Sequence, residues 1–193
     1  AFVAFPHPDV CEWLAHLGFD WLILDMEHGP LSFEIVQRMI QAMKGTDCAP
    51  LVRPPSNNDV DIKKLLDLGA FGIVAPMVNT RADAERAVKA CRYPPHGVRG
   101  FGPRRPVRID PDYLATVESQ LLIMALLETA QAIDNAADIL SVDGIDAGVG
   151  RGELERAAHI VAASGADDEN VPEQRLARIA IQQSITAPLA AGL

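Results

Sequence analysis

Short apolar stretches alternate along the chain with longer stretches in which apolar residues recur every three to four positions. Seven of the short stretches have the length and composition of buried strands. The longer stretches have the spacing that places apolar side chains on one face of a helix. The pattern therefore predicts strands that alternate with helices. The predicted strands are residues 1–5, 21–25, 50–53, 72–76, 121–128, 144–149 and 188–193.

Three of the predicted helices carry end signals. Ser32 and Thr80 are N-cap candidates, and Asp83 follows Thr80 by three residues. Gly69 stands where a left-handed C-cap residue is expected. We therefore expect one helix after Ser32, one before Gly69 and one after Thr80. Their apolar residues are Phe33, Val36, Met39, Ile40 and Met43 in the first, Val60, Ile62, Leu65 and Leu66 in the second, and Ala84, Ala87, Val88 and Cys91 in the third.

Alternation of apolar strands with helices predicts a parallel sheet in an α/β fold. The pattern fits a doubly wound sheet or a (β/α)8 barrel. The sequence lacks GxGxxG after its first strand and has no GxxxxGK[ST], the common nucleotide-binding forms of the open sheet. Asp25, Arg53 and Glu128 end three strands, and strand ends line the catalytic face of a barrel. We therefore expect a barrel, with residues 1–193 in a single domain.

Composition excludes several classes of function. The 193 residues are 49% hydrophobic and 22% charged, as in globular domains, and the net charge is -9. An acidic chain is not expected to bind nucleic acid or an anionic membrane surface. No apolar run approaches the ~20 residues that cross a bilayer. The three cysteines, with no CxxC, argue against disulfides or a thiolate zinc site and favour a cytoplasmic location.

The segment 25–30 reads Asp-Met-Glu-His-Gly-Pro and follows a strand end. His28 could be a general base oriented by Asp25, because a carboxylate on one ring nitrogen strengthens the other nitrogen as a base. Alternatively, His28 caps the turn and Glu27 faces solvent. Arg53, before two prolines, could hold a carboxylate or enolate oxygen, or could be a structural salt-bridge partner.

Glu128 ends the most hydrophobic strand, where an ionised carboxylate needs a compensating cation or hydrogen bonds. Glu153 follows the next strand through a glycine-rich turn that exposes backbone N–H groups, with Gly152 as a substrate-binding candidate. Two carboxylates and water suit Mg²⁺ or Mn²⁺, and Co²⁺ is a third candidate. The alternative is a basic partner for Glu128 and a first-turn helix position for Glu153.

Seven blocks occur in one order along most of the chain. They are Gly-Phe-Asp-Trp at 18–21, Asp-Met-Glu-His at 25–28, Leu-Val-Arg-Pro at 51–54, Pro-Met-Val at 76–78, Arg-Tyr-Pro-Pro-His-Gly-Val-Arg-Gly at 92–100, Leu-Glu-Thr at 127–129 and Gly-Ile-Asp at 144–146. Together these blocks resemble the metal-dependent (class II) pyruvate aldolases of the HpcH/HpaI type. The block at 92–100 is the most specific, although by itself it also fits a proline-stiffened connection.

The resemblance implies a (β/α)8 barrel of the phosphoenolpyruvate/pyruvate-binding type that cleaves a 4-hydroxy-2-oxo acid into pyruvate and an aldehyde. Glu128 would be a metal ligand, His28 with Asp25 the base, and Arg53 the group that holds the enolate oxygen. Glu153 would replace the aspartate that is the family's second ligand. It also implies a small 2-oxo acid substrate and a homo-oligomer, either a trimer or a hexamer.

Three departures from the family pattern leave alternatives open. The second-ligand block, Gly-Arg-Gly-Glu-Leu at 150–154, is one residue short, and Leu126 stands in place of a glutamine. Seven predicted strands, where a closed barrel has eight, lead us to expect missing residues at the C-terminus or internally. The alternatives are oxaloacetate decarboxylation of the macrophomate synthase type, or a non-catalytic barrel that has lost its second metal ligand.

Overall fold

The computed structural model describes residues 1–150, in which six parallel strands form one sheet in the order of the chain. This order is that of a (β/α) barrel, because a doubly wound sheet reverses its strand order at a switch point. Six of the seven predicted strands are confirmed, and the seventh, at 188–193, lies outside the described residues. The strands are β1 (Phe2–Val3), β2 (Trp21–Asp25), β3 (Ala49–Arg53), β4 (Gly72–Ala75), β5 (Leu122–Leu126) and β6 (Ala147–Val149).

Helices connect successive strands, and the three helices predicted with end signals are confirmed as α2, α3 and α4. The remaining helices are mostly short and were not predicted. Along residues 1–150, none of the helices combines the length and the apolar character that crossing a membrane requires. The helices are α1 (Pro8–Ala15), α2 (Phe33–Ala42), α3 (Asp59–Asp67), α4 (Arg81–Cys91), α5 (Pro106–Ile109), α6 (Tyr113–Gln120), α7 (Ala130–Asp134) and α8 (Ala136–Leu140).

The predicted helix ends have the expected hydrogen bonds. The Ser32 hydroxyl accepts the N–H of Ile35 at the start of α2. Thr80 and Asp83 form a reciprocal capping box at the start of α4. Gly69 follows α3 with a φ of +101°, a left-handed conformation that glycine adopts without strain. Local side-chain chemistry therefore sets where these helices begin and end.

Both faces of the sheet are apolar, which explains why the strands read as nearly continuous hydrophobic runs. The outer face packs under the helices, whereas the inner face forms a second cluster of its own. Alternate residues of each strand point to the inner face, as the strand period of two requires. The inner cluster contains Ile23, Leu51, Val74, Leu122, Met124, Leu126 and Ala147. The functional candidates lie at the carboxyl end of this inner face.

Candidate active site

Asp25 and Arg53 are register neighbours at the carboxyl ends of β2 and β3. Two residues earlier, Ile23 and Leu51 belong to the inner cluster, so both charged side chains share the inner face. Arg53 donates from Nε to Asp25 Oδ1 at 2.8 Å and from Nη2 to Oδ2 at 2.6 Å. This two-bond pair is buried, and the Phe2 ring lies 5.0 Å from the guanidinium carbon. The pairing fixes the plane of the guanidinium.

The turn after β2 folds back onto the same pair. Asp25 Oδ1 accepts the backbone N–H groups of Glu27, at 3.1 Å, and His28, at 3.3 Å. Gly29 follows, and a Cβ there would lie 2.3 Å from the Asp25 carbonyl oxygen and 3.1 Å from Ala4 Cα. Such distances leave no room for a side chain. The turn therefore needs a glycine at position 29 to hold Glu27 beside Arg53.

Glu27 and His28 have very different surroundings. Glu27 Oε2 lies 3.1 Å from Arg53 Nη1 and 3.8 Å from His28 Nε2. The Glu27 side chain is 16% exposed, whereas that of His28 is 72% exposed. Glu27 is thus largely buried between the guanidinium and the imidazole. The contacts of the Asp25 carboxylate are with Arg53 and with the backbone of residues 27 and 28.

Glu128 brings a third carboxylate to the guanidinium, two residues beyond β5. Its Oε1 lies 3.9 Å from Arg53 Nη1, and its Oε2 accepts the backbone N–H of Met77 at 3.2 Å. Met77 has a φ of +53°, uncommon for a residue with a side chain, and this conformation accompanies the N–H contact with Glu128. No feature of the sequence indicated that Met77 would hold Glu128, because the contact spans 51 residues.

The pKa values of Asp25 and Glu27 are shifted in opposite directions. Burial raises the pKa of the Asp25 carboxyl, but hydrogen bonds from Arg53 and from the backbone of His28 and Glu27 bring this pKa below its ordinary value. The pKa of Glu27 is raised by burial, against the attraction of Arg53 and with repulsion from Glu128. Asp25 therefore stays ionised, and Glu27 is easier to protonate than an ordinary glutamate.

The charges of the described site suit a divalent cation. Three carboxylates around one guanidinium leave an excess of two negative charges. Their oxygens are hard donors of the kind that Mg²⁺ and Mn²⁺ prefer. Within residues 1–150, no group of three or more histidine, cysteine or acidic side chains is arranged around a common metal position. Gly152 and Glu153 lie outside the described residues, so Glu128 is the candidate ligand that the structure locates.

The two arginines of the 92–102 segment contact other residues of the same chain. Arg99 is almost completely buried and its Nη2 donates to Asp67 at 2.9 Å. Its guanidinium carbon also lies 4.6 Å from the centre of the Tyr93 ring. Arg92 Nη1 is 3.6 Å from Asp143. These contacts favour the interpretation of the segment as a stiffened connection, with its two charges bound to the protein itself.

The strands are parallel and follow the order of the chain, and charged side chains lie at their carboxyl ends. These features define the class as an α/β protein of the barrel type. Enzymes with this barrel have their active sites at the carboxyl ends of the strands. Residues 1–182 match the family model described as HpcH/HpaI aldolase/citrate lyase. The chain belongs to this family, which confirms the resemblance that its sequence blocks indicated.

Comparison with two relatives shows what share of their length this chain covers. A hydroxypyruvate/pyruvate aldolase of Rhizorhabdus wittichii is 47% identical over 136 residues, which cover 70% of this chain and 54% of the relative. A 4-hydroxy-2-oxovalerate aldolase of Novosphingobium aromaticivorans is 41% identical over 169 residues, 86% of this chain and 64% of the relative. The chain therefore spans less than two thirds of each relative.

Solved structures support the same fold. An HpcH/HpaI aldolase/citrate lyase family protein from Burkholderia cenocepacia has a TM-score of 0.73 at 27% identity, over 85% of this chain and 74% of its own. Macrophomate synthase has a TM-score of 0.70 at 25% identity, over 92% of this chain and 64% of its own. The predicted fold class, an α/β fold of the (β/α)-barrel type, is confirmed.

Proposed function

We propose that this protein is a metal-dependent carbon–carbon lyase that cleaves a 4-hydroxy-2-oxo acid into pyruvate and an aldehyde. The observation that carries the proposal is the buried guanidinium of Arg53, held by Asp25 and placed beside Glu128 at the carboxyl end of the inner sheet face. Family membership and the aldolase names of the relatives support it.

Arg53 would stabilise the enolate oxygen of pyruvate. Its Nε and Nη2 are bound to Asp25, so Nη1 is the part of the guanidinium that faces the other site residues. Breaking the carbon–carbon bond places negative charge on the keto oxygen of the pyruvate part. A fixed positive donor lowers the barrier to that step, and one such donor is typically worth about 3 kcal/mol.

Glu128, together with Glu153 in the segment after β6, would hold the metal, and Gly152 would offer a backbone N–H to the substrate. Mg²⁺ and Mn²⁺ fit the carboxylate donors best, with Co²⁺ as a third candidate. A bound divalent cation would supply Lewis-acid polarisation of the substrate carbonyl.

His28 would be the general base. Its side chain is 72% exposed, so a substrate can reach the ring. Asp25 fixes the backbone of this residue by accepting the N–H of His28. In the cleavage direction, His28 takes the proton of the C4 hydroxyl, and the C3–C4 bond breaks. The aldehyde leaves, the bonding electrons form the pyruvate enolate, and protonation at C3 completes pyruvate.

Exchange of the pyruvate methyl protons in D₂O tests the proposal directly. With Mg²⁺ or Mn²⁺ added, we expect proton NMR to show loss of the methyl signal, and EDTA should stop it. His28→Ala should keep the metal and lose the exchange. A folded full chain that exchanges no protons with any of these metals would reject the lyase and favour the non-catalytic barrel.

Oxaloacetate decarboxylation is the second candidate function, because it passes through the same enolate. The structural likeness to macrophomate synthase, with a TM-score of 0.70, is the observation that favours it. A cleavage screen over 4-hydroxy-2-oxo acids of several lengths, with oxaloacetate included, separates the two by the product that forms with pyruvate: an aldehyde or carbon dioxide.

We also propose that the protein assembles as a trimer or hexamer and acts in the cytoplasm. Large apolar side chains on and around α1, including Trp13 and Leu17, are exposed and could be covered by a second copy. Cys11, Cys48 and Cys91 are buried free thiols, as is typical of a reducing compartment. Light scattering on the purified full chain gives the assembly size.

A further inference from the structure

We infer that Asn79 is a positioning residue for the metal site. Its side chain holds the backbone of Met77 in the conformation that directs the Met77 N–H at the carboxylate of Glu128. The inference rests on the proposed function, in which Glu128 is a metal ligand. Asn79 would touch neither the metal nor the substrate, and would act through Met77 and Glu128.

The first argument is that strand β5 does not itself hold the Glu128 carboxylate. The strand ends at Leu126, and the Glu128 side chain is 31% exposed. Its Oε2 accepts the Met77 N–H at 3.2 Å, whereas its Oε1 lies 3.9 Å from Arg53 Nη1, too far for a hydrogen bond. Within residues 1–150, the Met77 N–H is therefore the one hydrogen-bond donor that orients this carboxylate.

The second argument is the backbone conformation of Met77. A φ of +53° is unfavourable for a residue with a Cβ and persists only where the surrounding contacts impose it. Met77 is 51% exposed, so side-chain packing contributes little to holding this conformation. Asn79 supplies a direct restraint, because its Nδ2 donates to the Met77 carbonyl oxygen at 3.3 Å. Between them, Val78 donates its N–H to the Leu126 carbonyl at 3.3 Å.

The third argument is that Asn79 is itself fixed on both sides of the contact. Its backbone N–H donates to the Asp83 carboxylate at 3.1 Å, in the capping box of α4. Its Oδ1 accepts the hydroxyl of Thr129, the residue that follows Glu128. The Met77 carbonyl requires a donor, which places Nδ2 rather than Oδ1 toward it. The Asn79 amide thus joins the two segments that carry the donor and the carboxylate.

The test measures the Kd of the full chain for Mn²⁺ by electron paramagnetic resonance, which needs no turnover. Asn79→Ala should raise this Kd about tenfold, an effect typical of groups that support a metal ligand. Asn57→Ala is the matched control, because Asn57 Nδ2 also donates to a backbone carbonyl, that of Asp83 at 3.0 Å. Among the described residues, Asn57 has no hydrogen bond to Met77 or Glu128, so this variant should keep the wild-type Kd.

A double variant separates positioning from a general loss of stability. Glycine adopts a φ of +53° without a restraint, so Met77→Gly added to Asn79→Ala should recover most of the lost Mn²⁺ affinity. If Asn79→Ala does not fold, Met77→Val replaces it, because a branched side chain disfavours this φ. Met77→Val should weaken Mn²⁺ binding, and Met77→Gly alone should not.

A wild-type Kd in Asn79→Ala, or a double variant that binds Mn²⁺ as weakly as the single variant, would overturn the inference. Exchange of pyruvate methyl protons on the same samples tests the proposed function separately. A wild-type chain that binds Mn²⁺ and exchanges no protons rejects the lyase, and the Kd series still decides the role of Asn79. A wild-type chain that binds no Mn²⁺ rejects the metal site and this role together.

Discussion

At the scale of single residues, the turn after β2 depends on backbone space as much as on charge. Asp25 binds the N–H groups of the next residues, and Gly29 lets the chain pass the Asp25 carbonyl at close range. The positions of Glu27 and His28 follow from this turn. A change that forces the turn outward should therefore damage the site without removing any charged group.

Gly29→Ala tests the need for space. The added Cβ would lie 2.3 Å from the carbonyl oxygen of Asp25 and 3.1 Å from Ala4 Cα, and these backbone atoms cannot move aside cheaply. We expect a loss of about 1–3 kcal/mol in the free energy of unfolding and a large loss of proton exchange. Urea unfolding measures the first effect.

The matched control is Gly100→Ala, where a Cβ would meet no atom within 4 Å. Its free energy of unfolding should stay within about 0.5 kcal/mol of the wild type. Equal losses in the two variants would show that glycine flexibility, and not the close approach at Gly29, explains the effect.

At the scale of elements, α4 shows how a helix begins. Asp83 accepts the backbone N–H of Thr80 at 2.9 Å and that of Asn79 at 3.1 Å. The Thr80 hydroxyl in return accepts the N–H of Asp83. Burial raises the pKa of Asp83, but the bonds from Thr80, Asn79 and Arg86 bring this pKa below the ordinary value of 3.8. The ionised side chain therefore stabilises the folded protein.

Asp83→Asn should cost about 1 kcal/mol of unfolding free energy at neutral pH, in the range of a lost helix cap. Because the pKa is lowered on folding, the contribution is present above the ordinary pKa and disappears as pH falls through the folded value. The difference between variant and wild type should thus shrink as pH falls through and below the ordinary value of 3.8. Chemical unfolding at several pH values measures it.

Glu85→Gln is the control for Asp83→Asn, since Glu85 pairs with Arg81 on the exposed face of the same helix. It should change the unfolding free energy by less than about 0.5 kcal/mol. A pH-independent loss in Asp83→Asn would contradict the role given to its charge.

At the scale of the whole molecule, charge is distributed unevenly. The chain has a net charge of -9, and the described site has an excess of two negative charges around Arg53. Repulsion among carboxylates in a partly buried site reduces stability until a cation enters. Metal binding and folding stability should therefore be coupled.

Mg²⁺ or Mn²⁺ should raise the melting temperature, and EDTA should reverse the effect. A cation at a hundredfold excess over its Kd adds about 2.7 kcal/mol of stability. Glu128→Gln should abolish most of this gain. Glu118→Gln, which removes a carboxylate that contacts His96, should keep it. An equal gain in Glu128→Gln would remove Glu128 from the ligand set. Differential scanning fluorimetry over a metal series makes the measurement.

Much of the order of strands and helices could be predicted from the sequence, because the signals for these elements are local. Trp21–Asp25 was predicted with the observed bounds, and Ser32, Gly69 and Thr80 have the predicted capping roles. The helices that were missed have weak patterns. In α6, Val117 is the single buried residue, and α5 has four residues in all. Such segments lack an apolar face long enough to recognise.

The amino-acid sequence by itself determined that strands alternate with helices, and that Asp25, Arg53 and Glu128 come at or just beyond strand ends. The alternation follows from the periods of two and about 3.6 residues of strands and helices, which can be recognised within a short stretch of sequence. Only the tertiary structure decided which groups meet. The β2–β3 register puts Asp25 opposite Arg53, and the turn after β2 then brings Glu27 to the same guanidinium, 3.1 Å from Nη1. A pairing across 28 residues depends on how strands align, and no local pattern records that alignment.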